Sequence, residues 1–458
     1  MAHQRGTPTL PRPTARLARL ARRDGDLLTS SGSLTASTLI TSATGFLYWF
    51  VAARLFSPEA VGTASAAVSA MTLVGTLGMF GLGTMLIGEL PRLPGDRWPL
   101  LSAAALTAGA IAAVGALIYL GLAWVAIPGL RTALPGPTMV VLVAAGIVLT
   151  AMALVVDEGL VGLAAGPFQM LRNLYFAVAK LVLLGAAALL PATATGAPIL
   201  ASWLAGLLLS LLLLAQLLRR RGRLGSLRPA LSMLRGRTGR ALDYNLLNLS
   251  LYLPHITLPL VVTAVLGVRV TGAFYTAWMV YTVAVMLPGN LATALFAVAT
   301  GQRAVLRAKL RTALAVALGV GVPATVLVAV AARPIMSLFG AEYADVATGA
   351  LRILALSYLF AVFRQLVVGV VRVLDKVRLA TVGAVLAGCL EIAAAAYGGT
   401  HGGLTTMVLW LVGVFALEAL ITAPIVLWAA TARPGDRREH PERPDRPDRS
   451  GRPGRGAR

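Results

Sequence analysis

Lysine, cysteine, histidine and acidic residues are all scarce in this chain of 458 residues. Only Lys180, Lys309 and Lys376 carry an ammonium group, and none of them lies in the glycine-rich pattern of a nucleotide-binding P-loop, which excludes ATP hydrolysis of that type. The one cysteine, Cys389, excludes an internal disulfide and a thiolate metal cluster. The 4 histidines are too scattered for a metal-binding motif, so we expect neither a metal nor a cofactor.

Charged residues are also few, at 13% of the chain, whereas 57% of the residues are hydrophobic and the mean hydropathy is +0.79. Soluble proteins carry about 25% charged residues, so this composition is typical of a protein with many membrane spans. A span takes roughly 20 apolar residues, and about 12 runs are long enough. The sequence therefore predicts an all-α integral membrane protein, with spans near 31–53, 59–83, 99–124, 137–158, 172–190, 197–218, 241–266, 271–299, 311–333, 346–371, 377–397 and 404–430.

A basic segment divides these spans into two lobes of about six. When the second half is shifted by about 210 residues, Gly272 falls on Gly62 and Ala277 on Ala67. Because each half has an even number of spans, both halves begin on the same side of the membrane, and the repeat is parallel. The predicted parts are a basic cytoplasmic leader, a first lobe, a basic cytoplasmic linker, a second lobe and a disordered Arg/Pro-rich cytoplasmic tail, at 1–28, 29–218, 219–240, 241–430 and 431–458.

Basic residues are concentrated in alternate connections between the spans. The even-numbered connections hold Arg172 and the clusters at 219–240, 303–311 and 372–378, among others. The opposite side holds only Arg54, Arg131, Arg269 and Arg333. The positive-inside rule then predicts that both termini are cytoplasmic. Because the net charge of +22 reflects this topology, no nucleic acid is expected as a partner.

Several ionisable residues fall inside predicted spans, where a charge is costly and a functional role is the first hypothesis. They are Lys180 in the fifth span, His255 in the seventh, Arg364 in the tenth, Glu391 in the eleventh and Glu418 in the twelfth. The alternative is structural, with Lys180 and Arg364 reaching the membrane interface or pairing with an acid to hold the bundle together.

The seventh and eighth spans have polar or helix-breaking residues. Asp243, Asn245 and Asn248 make the seventh span polar, and Pro288 with Gly289 and Asn290 is expected to interrupt the eighth. Broken helices at membrane depth are tolerated where they line a cavity or are covered by protein. These spans are therefore predicted to face a central cleft.

Four motifs carry a family resemblance. They are RLFSPEAVG followed by LGMFGLGTMLI at 54–87, LVGLAAGPFQMLRN at 160–173, LGVRVTGAFYTAWMV at 266–280, and LFGAEY followed by ATGALRILALS at 338–357. In this order they resemble the oligosaccharide flippase family of polysaccharide exporters. The family belongs to a superfamily that also holds multidrug and toxin exporters and lipid II flippases. The motifs extend over nearly the whole chain.

The resemblance implies a two-lobed transporter, not an enzyme, in the plasma membrane. Its central cavity would open alternately to each side and move a polyprenyl-pyrophosphate-linked oligosaccharide from the inner to the outer leaflet. The cations proposed for the diphosphate are Arg54, Lys180, Arg364 and His255. The candidates for binding a coupling ion are Glu391 and Glu418. Relatives often have an acid in the seventh span where this chain has His255, which puts a coupling role there in doubt.

Partners and rival functions follow from the same reasoning. The expected partners are the lipid-linked oligosaccharide, membrane lipids and a polysaccharide polymerase or assembly protein, and the chain is expected to act as a monomer. An ion-coupled drug exporter of the same fold is the nearest alternative. A membrane-embedded glycosyltransferase or polymerase is disfavoured because the outer connections are short. A scaffold that transports nothing is a further alternative.

Overall fold

The computed structural model describes residues 44–163, 165–189, 195–234, 242–299, 303–374 and 376–431. The predicted leader, most of the predicted tail and part of the linker lie outside these residues. Every regular element in the described part of the chain is helical. The helices are α1 (44–55), α2 (Pro58–Met79), α3 (Leu82–Glu89), α4 (Trp98–Gly121), α5 (Pro128–Arg131), α6 (Gly136–Gly162), α7 (Gly166–Ala187), α8 (Ala197–Arg220), α9 (Leu242–Leu266), α10 (Val268–Ala299), α11 (Arg303–Val316), α12 (Val322–Val330), α13 (Ala332–Ser337), α14 (Ala341–Leu356), α15 (Tyr358–Val373) and α16 (Val377–Thr431).

Among the described residues, 9 helices are long and apolar enough to cross a membrane, or 10 if α14 and α15, which meet at 51°, form one bent span. The 55-residue helix α16 counts once here, although its backbone is non-helical at Gly402 and Gly403. The chain reverses at this point, because the rings of Tyr397 and Trp410 lie 5.0 Å apart. Helix α16 is therefore a hairpin of two spans, and α1 is the described part of the first predicted span. The predicted all-α membrane fold is confirmed.

The turn between α1 and α2 follows the local sequence. The Ser57 hydroxyl accepts a hydrogen bond from the Ala60 amide at 3.2 Å, and Pro58 and Glu59 occupy the first turn. This is an N-cap arrangement, in which a side-chain oxygen satisfies a free amide at the helix start. The other end differs from the prediction. Phe80 has a φ of 41°, so the predicted span 59–83 ends early as α2 and a second helix, α3, follows it.

Each lobe has its own hydrophobic core. One core is built almost entirely from α1 to α8 and the other from α9 to α16, and Leu260 and Ala53 are the buried core residues that cross over. The lobes meet at the end of the bundle that carries Ser57, which we call the Ser57 end. There Phe46 and Phe50 of α1 lie 5.4 Å and 5.7 Å from the ring of Phe339. The contacts between lobes therefore leave each core separate.

Helices α2 and α10 cross where two glycines meet. A Cβ atom on Gly272 would lie 3.1 Å from the Gly62 nitrogen and 2.9 Å from the Pro58 oxygen, so neither glycine leaves room for a side chain. Close by, the Arg269 guanidinium lies 3.7 Å from the Glu59 carboxylate. The predicted repeat pairs Gly62 with Gly272 and, by the same shift, Glu59 with Arg269. Equivalent residues that contact each other are what a two-fold axis between two lobes produces.

Some basic residues that were predicted in connections lie in helices instead. Arg172 is in α7, which begins at Gly166, and Lys309 is in α11, which begins at Arg303. Both side chains are buried. Arg172 is tolerated there because its guanidinium donates a 2.5 Å hydrogen bond to Asp157, which balances its charge inside the bundle. These helix starts were predicted too late because basic residues at the edge of an apolar run were assigned to the connection before it.

The predicted break in the eighth span is wrong. Helix α10 runs through Pro288 without interruption, and α9 likewise runs through Pro254 and Pro259. A proline removes one backbone hydrogen bond, but helices packed around it in a membrane bundle can cover the freed carbonyl. Helix α10 packs along α15 and α14.

Candidate functional site

Lys180 lies in an aromatic cage in the first lobe. Its side chain is 4% exposed, and its Nζ atom lies 4.1 Å from the ring centre of Trp203, 4.6 Å from Phe176 and 5.0 Å from Tyr48. Aromatic faces attract cations through their ring quadrupole, and more strongly when water is excluded. Helix α8 can pack closely against α7 because Gly206 has no side chain. A Cβ atom on Gly206 would lie 2.9 Å from the backbone nitrogen of Lys180.

Hydrogen bonds and ring contacts hold the cage in place. The Tyr48 hydroxyl donates to the Ile199 carbonyl at 2.8 Å and lies 2.9 Å from the Ser202 hydroxyl. The Trp203 ring meets Tyr48 at 5.2 Å and Phe176 at 5.4 Å, both edge to face. Within the part of the chain that the structure describes, Lys180 has no ion-pair partner. The cage is therefore a preorganised site with one uncompensated positive charge.

The second lobe holds a cluster of opposite character around Arg364. The guanidinium donates to Glu391 and, at 2.5 Å, to Glu418, and its central carbon lies 4.0 Å from the ring centre of Phe415. The side chains are 23%, 4% and 14% exposed for Arg364, Glu391 and Glu418. One Glu418 oxygen, Oε1, is buried without a hydrogen-bond partner. Helix α15 supplies the arginine and the two arms of α16 supply the acids.

This arrangement joins residues that the sequence assigned to separate roles. Arg364 was a candidate for cargo binding, whereas Glu391 and Glu418 were candidates for coupling. Two carboxylates share one guanidinium, so the cluster carries one negative charge when both acids are ionised and none when one of them binds a proton. A bound monovalent cation would balance that charge equally well.

His255 lies with the second lobe and not with Lys180. Its ring centre is 4.7 Å from that of Trp278. Trp278 lies 5.3 Å from Tyr281, which stacks at 6.5 Å on Phe415, the ring beneath Arg364. A row of aromatic rings therefore connects His255 to the Arg364 cluster.

Arg54 is separate from both groups. It is exposed at the end of α1, with its guanidinium 5.8 Å from the ring centre of Phe50. The structure therefore brings together four of the six candidates, Arg364, Glu391, Glu418 and, through the aromatic row, His255. Lys180 and Arg54 stand apart.

Trp49 connects the cage to the other lobe. It is buried, and its ring lies 6.0 Å from Trp203 and 4.9 Å from Tyr275 of α10. The cage is therefore joined to the second lobe by a continuous row of ring contacts.

Sequence reasoning missed most of the cage. Phe176 precedes Lys180 by one helical turn, a spacing that places both on one face and could have been read as a cation–aromatic pair. Tyr48 and Trp203 are on other helices, and no local pattern assigns them to Lys180. Among the described residues, no group of His, Cys, Asp and Glu could hold a metal ion.

No protein-family model matches the sequence, and no curated protein matches it. Solved structures do match in fold. One is the inward-facing conformation of a multidrug resistance MATE family transporter of the MOP superfamily, with 16% identity, 86% of this chain and 96% of that chain covered, and a TM-score of 0.63.

Two further structures agree. A MOP superfamily transporter from Pyrococcus furiosus, for which a binding pocket of reverse polarity suggests a different function, has 16% identity and a TM-score of 0.59, with 88% of this chain and 95% of that chain covered. The outward-facing conformation of a MATE family transporter has 16% identity, the same coverage and a TM-score of 0.55. This multi-pass membrane protein therefore has the fold of the MOP superfamily transporters.

Proposed function

We propose that the protein is a flippase that moves a polyprenyl-pyrophosphate-linked oligosaccharide from the inner to the outer leaflet of the plasma membrane, for cell-surface polysaccharide. The observation that carries the proposal is Lys180, a buried cation in an aromatic cage with no ion-pair partner among the described residues. A diphosphate brings at least two negative charges and several acceptor oxygens, which a fixed ammonium binds by charge-assisted hydrogen bonds. The MOP fold supplies the two lobes that alternating access requires.

The closure of the lobes at one end supports entry of the cargo from the opposite, cytoplasmic side. The lobes meet at the Ser57 end through the α2–α10 crossing and the Phe339 contacts. By the arginine asymmetry this end is the outer one, and both termini are cytoplasmic. The TM-score is higher for the inward-facing transporter, 0.63, than for the outward-facing one, 0.55, which agrees with closure at the outer end. In this conformation the cavity is open to the cytoplasm, and a carrier lipid made on that side could enter it.

The Arg364 cluster supports coupling to an ion. When Glu391 and Glu418 are both ionised, they occupy the guanidinium of Arg364. A proton or sodium ion on one carboxylate would weaken its hold, and Arg364 could then turn to another anion. In this proposal Arg364 assists cargo binding only in the ion-loaded state, whereas Lys180 is available throughout. Arg54 and His255 remain proposed as further cations for the diphosphate.

An ion-coupled drug exporter is the second candidate. The observation that favours it is the Glu391–Arg364–Glu418 cluster itself, because an acid pair that outnumbers its arginine can attract a cationic drug as well as a coupling ion. The similarity to multidrug resistance transporters gives the same expectation. The charge of the transported molecule therefore separates the two candidates.

The test is to measure polyprenyl-linked saccharides by mass spectrometry in cells that lack the protein and in cells re-supplied with variants. We expect a complete lipid-linked repeat unit to accumulate without the protein and to clear with the wild type. Lys180→Met should clear it roughly 10- to 100-fold more slowly, because a charge-assisted hydrogen bond contributes about 1.5–3 kcal/mol. Methionine fits an aromatic cage, so the fold should survive.

The matched control is Lys376→Met, which removes an exposed lysine and should clear the unit at the wild-type rate. An incomplete unit in the deletion cells would instead indicate an enzyme, and an unchanged pool would indicate export of small molecules. If Lys180→Met clears the lipid-linked unit at the wild-type rate, Lys180 does not bind the cargo. We expect a polysaccharide polymerase or assembly protein to copurify with the protein. We also expect a monomeric mass in detergent.

A further inference from the structure

A groove runs along the seam between α4 and α6, on helices that contribute neither Lys180 nor the Arg364 cluster. It consists of two adjoining hollows. The first, of about 520 Å³, is lined only by apolar residues, among them Ala113 and Leu117 of α4 and Ala145 and Val148 of α6. The second, of about 600 Å³, is lined by residues that include Trp124, Arg131, Pro137 and Val141. We call the two together the α4–α6 groove.

Helical periodicity makes the two hollows continuous. Val141 lines the second hollow and Ala145, one turn further along α6, lines the first. Residues four apart lie on one face of a helix, so no other side chain of α6 separates the hollows. The far end is closed at Met152, which packs against α4 where Gly109 leaves room, since a Cβ there would lie 3.1 Å from the Met152 Cγ.

The length of the groove corresponds to one leaflet. From Gly136 to Met152 the helix rises by roughly 24 Å at 1.5 Å per residue. One leaflet with its headgroup region measures roughly 20–22 Å, half of a 40–45 Å bilayer. The groove thus runs from the membrane surface at the Ser57 end to near the middle of the membrane. Its walls are exposed, with Leu117 71% and Val141 65% accessible.

The surface end of the groove carries one fixed positive charge. Arg131 is exposed, and its guanidinium lies 5.5 Å from the ring centre of Trp124. Tryptophan is enriched at the level of lipid headgroups, which places Arg131 at the depth of a lipid phosphate. Within the described part of the chain no carboxylate pairs with Arg131, and none lines the groove. The guanidinium is therefore available to an anion.

We propose that the α4–α6 groove binds an anionic phospholipid of the leaflet at the Ser57 end. The phosphate lies on Arg131 and an acyl chain lies along Leu117, Ala145 and Val148. An anionic headgroup is favoured over a zwitterionic one because the groove offers a cation and no acid for an ammonium group. A phospholipid is favoured over a polyprenyl carrier because the groove ends within one leaflet. The site does not depend on the cargo proposed above.

The experiment uses the full-length protein in lipid nanodiscs that contain phosphatidylglycerol with a photoreactive group at the end of its acyl chain. After illumination, peptide mass spectrometry measures the fraction of label on segment 113–152. We expect Arg131→Gln to lower that fraction about fivefold, because one arginine near an anionic lipid surface contributes about 1 kcal/mol. Ala145→Phe, which fills the groove, should lower it by a similar factor.

Two controls keep the result specific. Arg333→Gln removes an exposed arginine that already pairs with Asp345 at 3.3 Å, and it should leave the labelling unchanged. Val178→Phe adds the same bulk at an exposed position on α7 and should also leave it unchanged. Photoreactive phosphatidylcholine that labels the segment equally, or unlabelled undecaprenyl phosphate that displaces phosphatidylglycerol at equal concentration, would overturn the proposal. Wild-type labelling in Arg131→Gln would overturn it as well.

Discussion

Lys180 and Arg364 are both buried cations, but their neighbours balance the two charges in different ways. Aromatic faces surround Lys180, whereas two carboxylates hold Arg364. A cation–π contact leaves the charge in place, and an ion pair cancels it. The two residues therefore differ in what they can do, although a sequence shows only that each is a cation within an apolar run.

Arg364 should be needed for stability as well as for transport. Arg364→Ala leaves Glu391 and Glu418 buried together without their partner, which should destabilise the protein by about 3–5 kcal/mol. Thermal unfolding of the purified protein in detergent measures this as a clearly lower transition temperature. The triple variant Arg364→Met, Glu391→Gln and Glu418→Gln should recover most of the lost stability and still fail to transport.

The control for this prediction is Arg333→Ala. Arg333 and Asp345 are 68% and 67% exposed, and a solvated ion pair contributes little. The transition temperature of Arg333→Ala should match that of the wild type. If Arg364→Ala also unfolds at the wild-type temperature, Glu391 and Glu418 do not depend on Arg364 for stability.

At the scale of helices, the crossing of α2 and α10 determines how closely the lobes approach. The crossing depends on Gly62 and Gly272, and an ionic cluster of Arg269 with Glu59 and Glu342 lies beside it. Arg269 connects the first lobe to α14 of the second. Because Arg269 and Glu59 are exposed and Glu342 is half-buried, these charges should contribute less to closure than the backbone contact does.

Gly272→Ala should weaken closure at the Ser57 end. The new Cβ would lie 2.9 Å from the Pro58 oxygen, and a backbone atom cannot move away as a flexible side chain can. Spin labels on either side of the crossing should report a longer distance. The matched control on the same helix is Gly289→Ala, whose Cβ would lie 3.8 Å from the nearest atom, Gln365 Oε1. Both variants gain the same helix propensity, so any difference between them comes from the crossing.

For the whole molecule, transport by alternating access requires the two ends to move in opposite senses. Double electron–electron resonance between labels at Leu55 and Leu338, which are exposed near the Ser57 end, should give a longer distance when coupling ion and cargo are present. Labels at Leu227 and Leu379 near the other end should give a shorter one. The labels are placed in a Cys389→Ser background, since Cys389 is exposed.

Two outcomes would contradict this prediction. If both distances lengthen together, the lobes separate without exchanging access. If neither changes with ion and cargo, the protein does not behave as a transporter under these conditions. The conformation with closed lobes at the Ser57 end should dominate in the absence of cargo.

Local patterns in the sequence determined the membrane architecture of this protein. The apolar runs fix the spans because an unpaired backbone group is too costly in lipid, so each long run must be a helix. Ser57, Pro58 and Glu59 fix the turn before α2 because a helix start needs caps for its free amides. The repeat indicated that Gly62 and Gly272 are equivalent positions, because both halves have the same order of spans.

Only the tertiary structure decided which charges are compensated. Arg364, Glu391 and Glu418 are far apart in sequence, and the hairpin of α16 brings both acids to one arginine. Tyr48 and Trp203 reach Lys180 from two other helices, and Asp157 allows Arg172 to lie inside a helix. The physical reason is that hydropathy and capping act between residues within a turn or two of each other. The energy of a buried charge is set by neighbours that the fold alone brings close.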